Sequence, residues 1–237
     1  MSNVIRDIKA NYREVEQLLS FHYEEVEGEE FYRYIFPNNQ DQGELSGDYS
    51  KPNAVYLYKD PKDEGTDRQL RRRIMLNDTW ENDYKEFIEN NPMTLCSGLS
   101  YRGRTNRLAH AQHMNALVFD LDSVGKDELL TLFLRIGKKP GLRRLPQPTF
   151  IVMSGTGLHL YYVFDEPIAL FPNIKLQLKK LKYDLTFKMW EYKATSQEKQ
   201  IQYQSINQGF RMVGSKNDKY DLPVKAFKTG DKVTLDY

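Results

Sequence analysis

The stretch Ala116-Leu-Val-Phe-Asp-Leu-Asp122 is typical of a buried β-strand that ends in two carboxylates. Side chains alternate between the two faces of a strand, so Asp120 and Asp122 point the same way while Leu121 points into the core. Two neighbouring carboxylates repel each other as anions unless a positive charge lies between them. A divalent cation with oxygen ligands is the usual solution, so this stretch predicts a metal site.

Two later stretches carry further polar groups. Ile151-Val-Met-Ser-Gly-Thr-Gly-Leu-His-Leu-Tyr161 predicts a strand, a glycine turn and a second strand that opens at His159. Gly209-Phe-Arg-Met-Val-Gly-Ser-Lys216 predicts a strand that carries Arg211, followed by a turn that ends in Lys216. Bare glycine backbone lets a bulky anion approach, and arginine forms paired hydrogen bonds to phosphate oxygens. In this order, the acid pair and the two turns indicate a metal-dependent site for a phosphorylated substrate.

The bulk composition limits the classes of protein to which the chain can belong. It has 237 residues, of which 40% are hydrophobic, so it can bury a core in one large or two small domains. Its single cysteine, Cys96, excludes a disulfide framework and a cysteine-based zinc site. The amino terminus lacks the apolar core of a signal peptide, and no later run is long enough to span a membrane. The expected localisation is cytoplasmic, with no membrane partner.

Charge is distributed unevenly along the chain. Residues 1–100 hold 12 Lys and Arg against 20 Asp and Glu, a net charge of −8, and residues 101–237 hold 22 against 13, a net charge of +9. Such asymmetry indicates a basic half that binds a polyanion, for which nucleic acid is the favoured candidate. The basic residues form three clusters: Arg102, Arg104 and Arg107; Lys138, Lys139, Arg143 and Arg144; and Lys175, Lys179, Lys180 and Lys182.

The apolar spacing also predicts the order of the elements. The first part of the chain should hold a helix over 4–22, a strand over 55–58 and a helix that begins at Asp78 or Thr79 and stops at Asn91-Pro92. From residue 93 the predicted elements are strand 115–121, helix 126–136, strands 149–154 and 158–164, helix 173–192, strand 208–213 and a hairpin over 224–235. The order β-α-β-β-α-β is that of ferredoxin-like and RNA-recognition sheets. The predicted fold class is α+β, with an acidic N-terminal α/β subdomain (residues 1–92) and a basic palm domain on an RNA-recognition-like sheet (residues 93–237).

That topology would bring the three stretches together. The strand with the acids lies centrally in such a sheet, and the hairpin and the strand with Arg211 place their polar faces beside it. We expect a divalent metal on Asp120 and Asp122 and a rim of Arg102, Arg104 and Arg107 for a strand of nucleic acid. The residues expected to bind a nucleotide are Ser154, Gly155, Gly157, His159, Arg211, Ser215 and Lys216.

Together the motifs Asp-x-Asp, Ser-Gly-x-Gly-x-His and Arg-x-x-Gly-Ser-Lys resemble the catalytic motifs of the archaeo-eukaryotic primase superfamily. The resemblance is closest to the primase-polymerase domains of plasmids, phages and integrated elements, and it covers residues 93–216. It implies a palm on an RNA-recognition-like sheet and two divalent metals, Mg²⁺ or Mn²⁺. It also implies that Asp120 and Asp122 ligate the metals and that His159 is a catalytic residue on the phosphates of the incoming nucleotide.

One motif departs from the family pattern. The family usually supplies a third carboxylate on a strand shortly before the Arg-x-x-Gly motif, but here residues 201–208 read Ile-Gln-Tyr-Gln-Ser-Ile-Asn-Gln. Either Gln202 or Gln204 replaces that acid, or another acid such as Asp184 or Asp165 reaches the site. Two carboxylates can still hold a nucleotide-borne metal, because phosphate oxygens supply further ligands.

The predicted function is a metal-dependent, template-directed nucleotidyltransferase, a DNA primase or DNA polymerase of a mobile element, plasmid or phage. Its partners would be single-stranded DNA or a primer-template and nucleoside triphosphates. A helicase, in the same chain or in another, is a further expected partner. One alternative is a haloacid-dehalogenase-like phosphatase with Phe119-Asp-Leu-Asp-Ser-Val124 as its nucleophile loop and Gly230-Asp231 with Asp236 as its acidic motif. The other is a non-catalytic nucleic-acid-binding module on the same sheet.

Overall fold

The structure, a computed structural model, describes residues 2–39, 50–58, 69–91, 93–136 and 144–235. Most of residues 38–53, a polar, glycine-bearing stretch of the sequence that predicts a loop, lies outside these ranges, as do Lys138, Lys139 and Arg143 of the second basic cluster and Asp236. None of the helices in the described ranges is both long and apolar enough to cross a lipid bilayer.

The chain forms five helices and twelve strands in the described residues. The helices are α1 (Ser2–His22), α2 (Gly28–Ile35), α3 (Tyr84–Asn90), α4 (Lys126–Ile136) and α5 (Pro172–Met189), with a π-helical turn at Thr79–Asp83 and a 3-10 turn at Leu108–His110. The strands are β1 (Glu24–Val26), β2 (Asn53–Tyr58), β3 (Gln69–Ile74), β4 (Thr94–Cys96), β5 (Leu99–Tyr101), β6 (Ala111–Leu121), β7 (Phe150–Met153), β8 (Leu158–Ala169), β9 (Phe210–Arg211), β10 (Lys216–Asn217), β11 (Leu222–Pro223) and β12 (Lys225–Lys228).

The largest sheet has six strands in the order β1-β12-β7-β8-β6-β5, and every neighbouring pair is antiparallel. A hairpin joins β7 to β8, and β8 pairs along most of β6 with Asp120 opposite His159. Residues 116–119 of β6 form a continuous apolar run, because both faces of the strand are covered there. The prediction of an α+β fold is confirmed.

The last predicted strand lies in a different sheet from the one expected. Strand β9 covers only Phe210–Arg211 and pairs with β4 in a four-stranded sheet of order β3-β2-β4-β9. It cannot pair with β6 as the predicted topology requires, because β5 occupies that edge with Leu99 opposite Met114. The prediction of one β-α-β-β-α-β sheet that includes residues 208–213 is therefore wrong in its fourth strand.

Strands from both sides of the expected boundary at residues 92 and 93 meet in each large sheet. Strand β1 pairs with β12 in the six-stranded sheet, and β2 pairs with β4 in the four-stranded sheet. The described residues of the acidic first part of the chain therefore contribute strands to both sheets.

Two apolar clusters cover the two faces of the six-stranded sheet. One lies under α1, α4 and α5 and includes Leu19, Phe119 and Leu129. The other lies between the six-stranded and four-stranded sheets and includes Val118 and Tyr161. Because alternate residues of β6 enter opposite clusters, the strand is fixed in register, and the direction of the Asp120 side chain is fixed with it.

Candidate active site

The acid pair lies at the carboxyl end of β6. Asp120 is the second-last residue of the strand and Asp122 follows it, while Leu121 between them is buried. The register places Asp120 directly opposite His159 on β8, and the His159 Nε2 atom lies 3.6 Å from the Asp120 Oδ1 atom. Strand alternation places the two acids on one face, and the register of β6 against β8 makes His159 the neighbour of Asp120 on that face.

Both acids open into a cleft of about 180 Å³. Strands β6 and β8 of the six-stranded sheet supply one side, and β4 and β9 of the four-stranded sheet supply the other. The cleft is lined by Leu95, Asp120, Asp122, Ser154, Thr156, His159, Gly209, Phe210, Arg211 and Asn217. Five of the predicted site residues thus meet here: Asp120, Asp122, Ser154, His159 and Arg211. The position of β9 in the second sheet is what brings Arg211 to the cleft.

The glycine turn supports the floor of this cleft. A Cβ atom on Gly157 would lie 2.5 Å from the carbonyl oxygen of Leu121, so only glycine lets the turn approach the acid strand so closely. Gly155 has a φ of 120°, and a Cβ atom there would lie 2.4 Å from Nδ2 of Asn217. That amide donates to the carbonyl oxygen of Ser154 at 3.1 Å. Gly155 and Gly157 are thus needed to pack the turn against both neighbours.

The Gly-Ser-Lys turn does not line the cleft. The Ser215 hydroxyl is buried and donates to the carbonyl oxygen of Met212 at 2.6 Å. The ammonium group of Lys216 is exposed and lies 3.5 Å from a carboxylate oxygen of Asp221. The Lys216 carbonyl oxygen instead accepts a hydrogen bond from Arg211 Nη1 at 3.5 Å. In this structure the turn positions Arg211.

Burial controls the protonation of the site. It raises the pKa of the Asp120 carboxyl to about 6, although the nearby Lys182 ammonium acts in the opposite direction. Burial and the charge of Asp120 also raise the pKa of Asp122. His159 is 4% exposed, and burial lowers its pKa to about 3, so its imidazole is neutral at physiological pH.

Sequence reasoning missed the role of Lys182, which it counted only as part of a basic cluster. Lys182 is 1% exposed on α5, its ammonium donates to the Ser205 carbonyl oxygen at 2.9 Å, and it lies 5.4 Å from the centre of the Phe210 ring. Burial lowers its pKa to about 8, and the charge of Asp120 opposes that shift. The sequence did carry a signal for the burial of Lys182, because its helical spacing places it on the same face as Leu178 and Met189, which are buried.

Neither of the two acids considered for the third carboxylate, Asp184 and Asp165, lines the cleft. The Gln202 side chain hydrogen-bonds Asp122 and so lowers its pKa. Asp184 pairs with Lys180 on the exposed face of α5, and Asp165 is exposed further along β8. Another acid that influences Asp122 is Glu198, whose charge raises the pKa of that carboxyl. Glu198 accepts a hydrogen bond from the Ser123 hydroxyl at 2.8 Å.

The acid pair nevertheless fits a divalent cation. The Asp120 Oδ1 and His159 Nδ1 atoms are buried without a hydrogen-bond partner, which is costly unless a ligand completes the site. In the described parts of the chain, no three His, Cys, Asp or Glu side chains group as a metal cage. Mg²⁺ commonly binds through one or two carboxylates and takes its other ligands from water and substrate phosphates. Asp120 and Asp122 suit an ion that is held by two carboxylates and completed by water and phosphate oxygens.

The three arginines predicted to meet nucleic acid lie outside the cleft. Arg102, Arg104 and Arg107 are exposed on the loop between β5 and β6. Arg104 lines a groove of about 380 Å³ together with Tyr56, Arg71 and Arg72. Arg71 and Arg72 were not singled out from the sequence, because they lie in its acidic half.

The placement of Asp231 contradicts the phosphatase alternative. Asp120 is opposite His159, His159 is opposite Val152, and Val152 is opposite Ala226. Ala226 on β12 is therefore in the same cross-strand row as Asp120. Strand β12 then runs away from that row to Lys228, opposite Phe150. Asp231 follows, and its carbonyl oxygen accepts a hydrogen bond from Thr149. It thus lies toward the opposite end of the sheet from Asp120.

The chain thus combines antiparallel sheets with an acid pair at the end of an interior strand. Among solved structures, it is similar to the AEP domain of the cyanophage S-2L primase-polymerase, with a TM-score of 0.51 and 12% sequence identity. The match covers 80% of this chain and 87% of that chain. Neither a protein-family model nor a curated protein sequence matches the chain. At this identity the likeness shows the fold alone.

Proposed function

We propose that this protein is a metal-dependent, template-directed nucleotidyltransferase with primase or polymerase activity. The observation that carries the proposal is the cleft itself, in which Asp120 and Asp122 face Arg211 across the junction of two sheets. An acid pair for a metal and a cation for phosphate are the two parts that phosphoryl transfer needs most. The primase-like fold supports this reading of the cleft.

Each residue of the cleft has a distinct chemical task in this proposal. Asp120 and Asp122 would hold Mg²⁺ or Mn²⁺, which when bound activates the attacking 3′ hydroxyl and stabilises charge on the leaving pyrophosphate. Arg211 presents a planar fork that can donate to two phosphate oxygens. His159 is neutral and can donate one hydrogen bond to a phosphate without adding charge. Ser154, at the glycine turn, supplies a further donor to the same cleft.

The remaining expectations belong to the same proposal. The substrates would be nucleoside triphosphates and single-stranded DNA or a primer-template, and the setting would be replication of a phage, plasmid or mobile element. A helicase in the same chain or in a separate one would supply the single strand. Mg²⁺ or Mn²⁺ would be the cofactor.

A primer-extension assay tests the proposal. The protein is incubated with a DNA template, with or without an annealed primer, with either ribo- or deoxyribonucleotides, and with Mg²⁺, Mn²⁺ or EDTA. We expect template-dependent incorporation that EDTA abolishes. Comparing reactions with and without primer separates chain initiation from extension. DNA binding without incorporation under every condition would favour the non-catalytic binding module, for which the basic groove at Arg104 provides the structural basis.

A further inference from the structure

We propose that the face of the four-stranded sheet that carries Arg72, Val55 and Leu95 is a track for single-stranded nucleic acid that ends at the acid-pair cleft. The inference rests on the proposed function in that it names the path of the template strand. It is carried by three features that the sequence does not place together: the arginines of β3, the loop between β5 and β6, and one row of residues across the sheet.

The arginines of β3 divide between the two faces of the sheet. Arg73 pairs with Asp83 at 2.6 Å, and the Arg71 guanidinium lies 3.6 Å from the centre of the Tyr58 ring. Arg72 between them points to the opposite face by strand alternation and is exposed. Arg72 and Arg104 line the groove of about 380 Å³ together with Tyr56 and Arg71, which lie on the other face, so the groove spans the β3 edge of the sheet. The groove thus joins a cation from the acidic half of the sequence to one from the basic half.

A buried asparagine holds the second cation in place. The Asn53 amide donates to the carbonyl oxygens of Gly103 and Thr105, both at 2.8 Å, and Asn53 is fully buried. Asn106 continues the contact, because its carbonyl oxygen accepts from the Asn207 amide at 2.8 Å just before β9. The loop is therefore anchored at β2 and beside β9, and it forms one wall along the sheet.

One row of residues connects the groove to the cleft. Arg72 is opposite Val55, Val55 is opposite Leu95, and Leu95 is opposite Arg211, so the four side chains share a face. Leu95 and Arg211 also line the cleft. Three strand spacings of about 4.8 Å give roughly 14 Å, about four phosphates at the 3.4 Å spacing of a stacked strand.

The chemistry of the row fits a single strand better than a duplex. Val55 and Leu95 leave partly exposed apolar surface between the guanidinium groups of Arg72 and Arg211. A single strand offers base faces to such a surface and phosphates to Arg72 and Arg104, which leaves Arg211 to the nucleotide, whereas a duplex keeps its bases stacked inside. A sheet face with flanking cations is a common platform for single strands.

The test uses the variant Arg72→Ala/Arg104→Ala and a short fluorescent single-stranded DNA. Single strands give a salt slope of about 0.7 per phosphate contact, so losing two contacts should flatten the slope by about 1.4 and weaken binding at least tenfold near 0.1 M salt. Mg²⁺-nucleotide binding, measured by calorimetry, should not change. The matched control is Arg6→Ala/Arg13→Ala, which removes the same charge from exposed positions on α1, beyond the opposite face of the six-stranded sheet.

Three results would overturn the track: wild-type DNA affinity in the Arg72 and Arg104 variant, an equal loss in the α1 control, or equally tight binding of a duplex of the same length. The outcome is separable from that of the proposed function. Selective loss of single-strand binding in a protein that incorporates no nucleotide would retain the track and reject the enzyme. Metal-dependent incorporation with unchanged DNA affinity in the variant would support the enzyme and reject the track.

Discussion

Asp120 is a carboxylate that the fold holds largely out of water, with one oxygen atom lacking a hydrogen-bond partner. Burial of this kind disfavours the ionised form, and it persists where the surrounding structure enforces it. This oxygen atom therefore lowers the stability of the metal-free protein, and it is already in position to ligate a cation. At the scale of one residue, stability and the proposed function oppose each other.

This opposition predicts a pH-dependent gain in stability for Asp120→Asn. The pKa of Asp120 is raised to about 6 in the folded state from 3.8, so ionisation begins to destabilise the fold above the unfolded value and does so fully above about pH 6. In EDTA at about pH 8 the variant should gain on the order of 1–3 kcal/mol, several degrees in Tm, and the gain should vanish near pH 4. His159 titrates in both proteins, so the difference between them reports the Asp120 charge together with its effect on Asp122 and Lys182. A lower Tm for the variant at about pH 8 would refute the burial argument.

A second residue-scale prediction concerns Arg211 and Lys216. Arg211 lines the cleft, whereas the Lys216 ammonium lies beside Asp221 on the surface. Arg211→Ala should raise the nucleotide KM and lower kcat, at least tenfold in kcat/KM, without changing template affinity. Arg211→Lys should recover little of this loss, because a point charge does not replace the planar fork. Lys216→Ala is the matched control, and an equal loss in it would mean that the turn itself contacts the nucleotide.

Sequence alternation was sufficient to predict which acids share a face, and glycine spacing marked the turn before His159. The sequence pattern could not show that Ser215 is buried. Its burial goes with a local hydrogen bond from the Ser215 hydroxyl to the Met212 carbonyl oxygen, which no spacing of residue types predicts. Glu198 and Gln202 reach the acid pair through an irregular segment without periodicity. Their positions depend on tertiary packing, which no local pattern encodes.

At the scale of elements, the glycine turn between β7 and β8 fixes the floor of the cleft. A side chain at Gly157 would meet the Leu121 carbonyl oxygen, which belongs to the acid strand. Gly157→Ala should therefore destabilise the protein by about 2 kcal/mol or more and disturb the acid pair. Gly103→Ala is the control, because it has a φ of 78° but open space around the new Cβ.

Denaturant midpoints of the two variants measure this difference. Backbone strain alone should cost Gly103→Ala about 1 kcal/mol, so the larger loss in Gly157→Ala reports the steric contact. Equal midpoints for the two variants would show that the turn can move away from β6 at little cost.

The short strand β9 shows why the topology could be predicted only in part. Strands β6, β7 and β8 carry long apolar runs, so their pairing follows from burial. Strand β9 has two residues and too little pattern to specify a neighbour, and β5 already occupies the edge of β6. The sheet that a short strand joins depends on which sheet edges the other strands leave free. Those edges are set by residues throughout the chain, not by the strand's own sequence.

At the scale of the whole molecule, the fold redistributes the charge of the sequence. The first hundred residues carry a net charge of −8, yet their Arg72 joins Arg104 of the basic half in one groove. Charge counted along the chain predicted a polyanion partner but did not single out Arg72. The faces of a folded protein mix distant segments, so such counts indicate a partner class better than a location.

The surface charge predicts a steep dependence of template binding on salt. Replacing Arg102, Arg104 and Arg107 together by alanine should lower affinity for all template sequences alike and reduce the salt slope by about 2. Anisotropy titrations between about 50 and 200 mM salt give both quantities. Affinity that does not respond to salt, or a triple variant that binds as the wild type does, would make this loop ordinary surface.

The proposed function depends on the acid pair as a metal site for nucleotide transfer. The most direct measurement is nucleotide incorporation by Asp120→Ala and Asp122→Ala beside the wild type, with single-stranded DNA affinity measured on the same preparations. Because metal stabilisation of the transition state contributes several kcal/mol, we predict a loss on the order of a thousandfold or more in both variants, with DNA affinity retained. Incorporation at the wild-type rate by both variants would contradict the account.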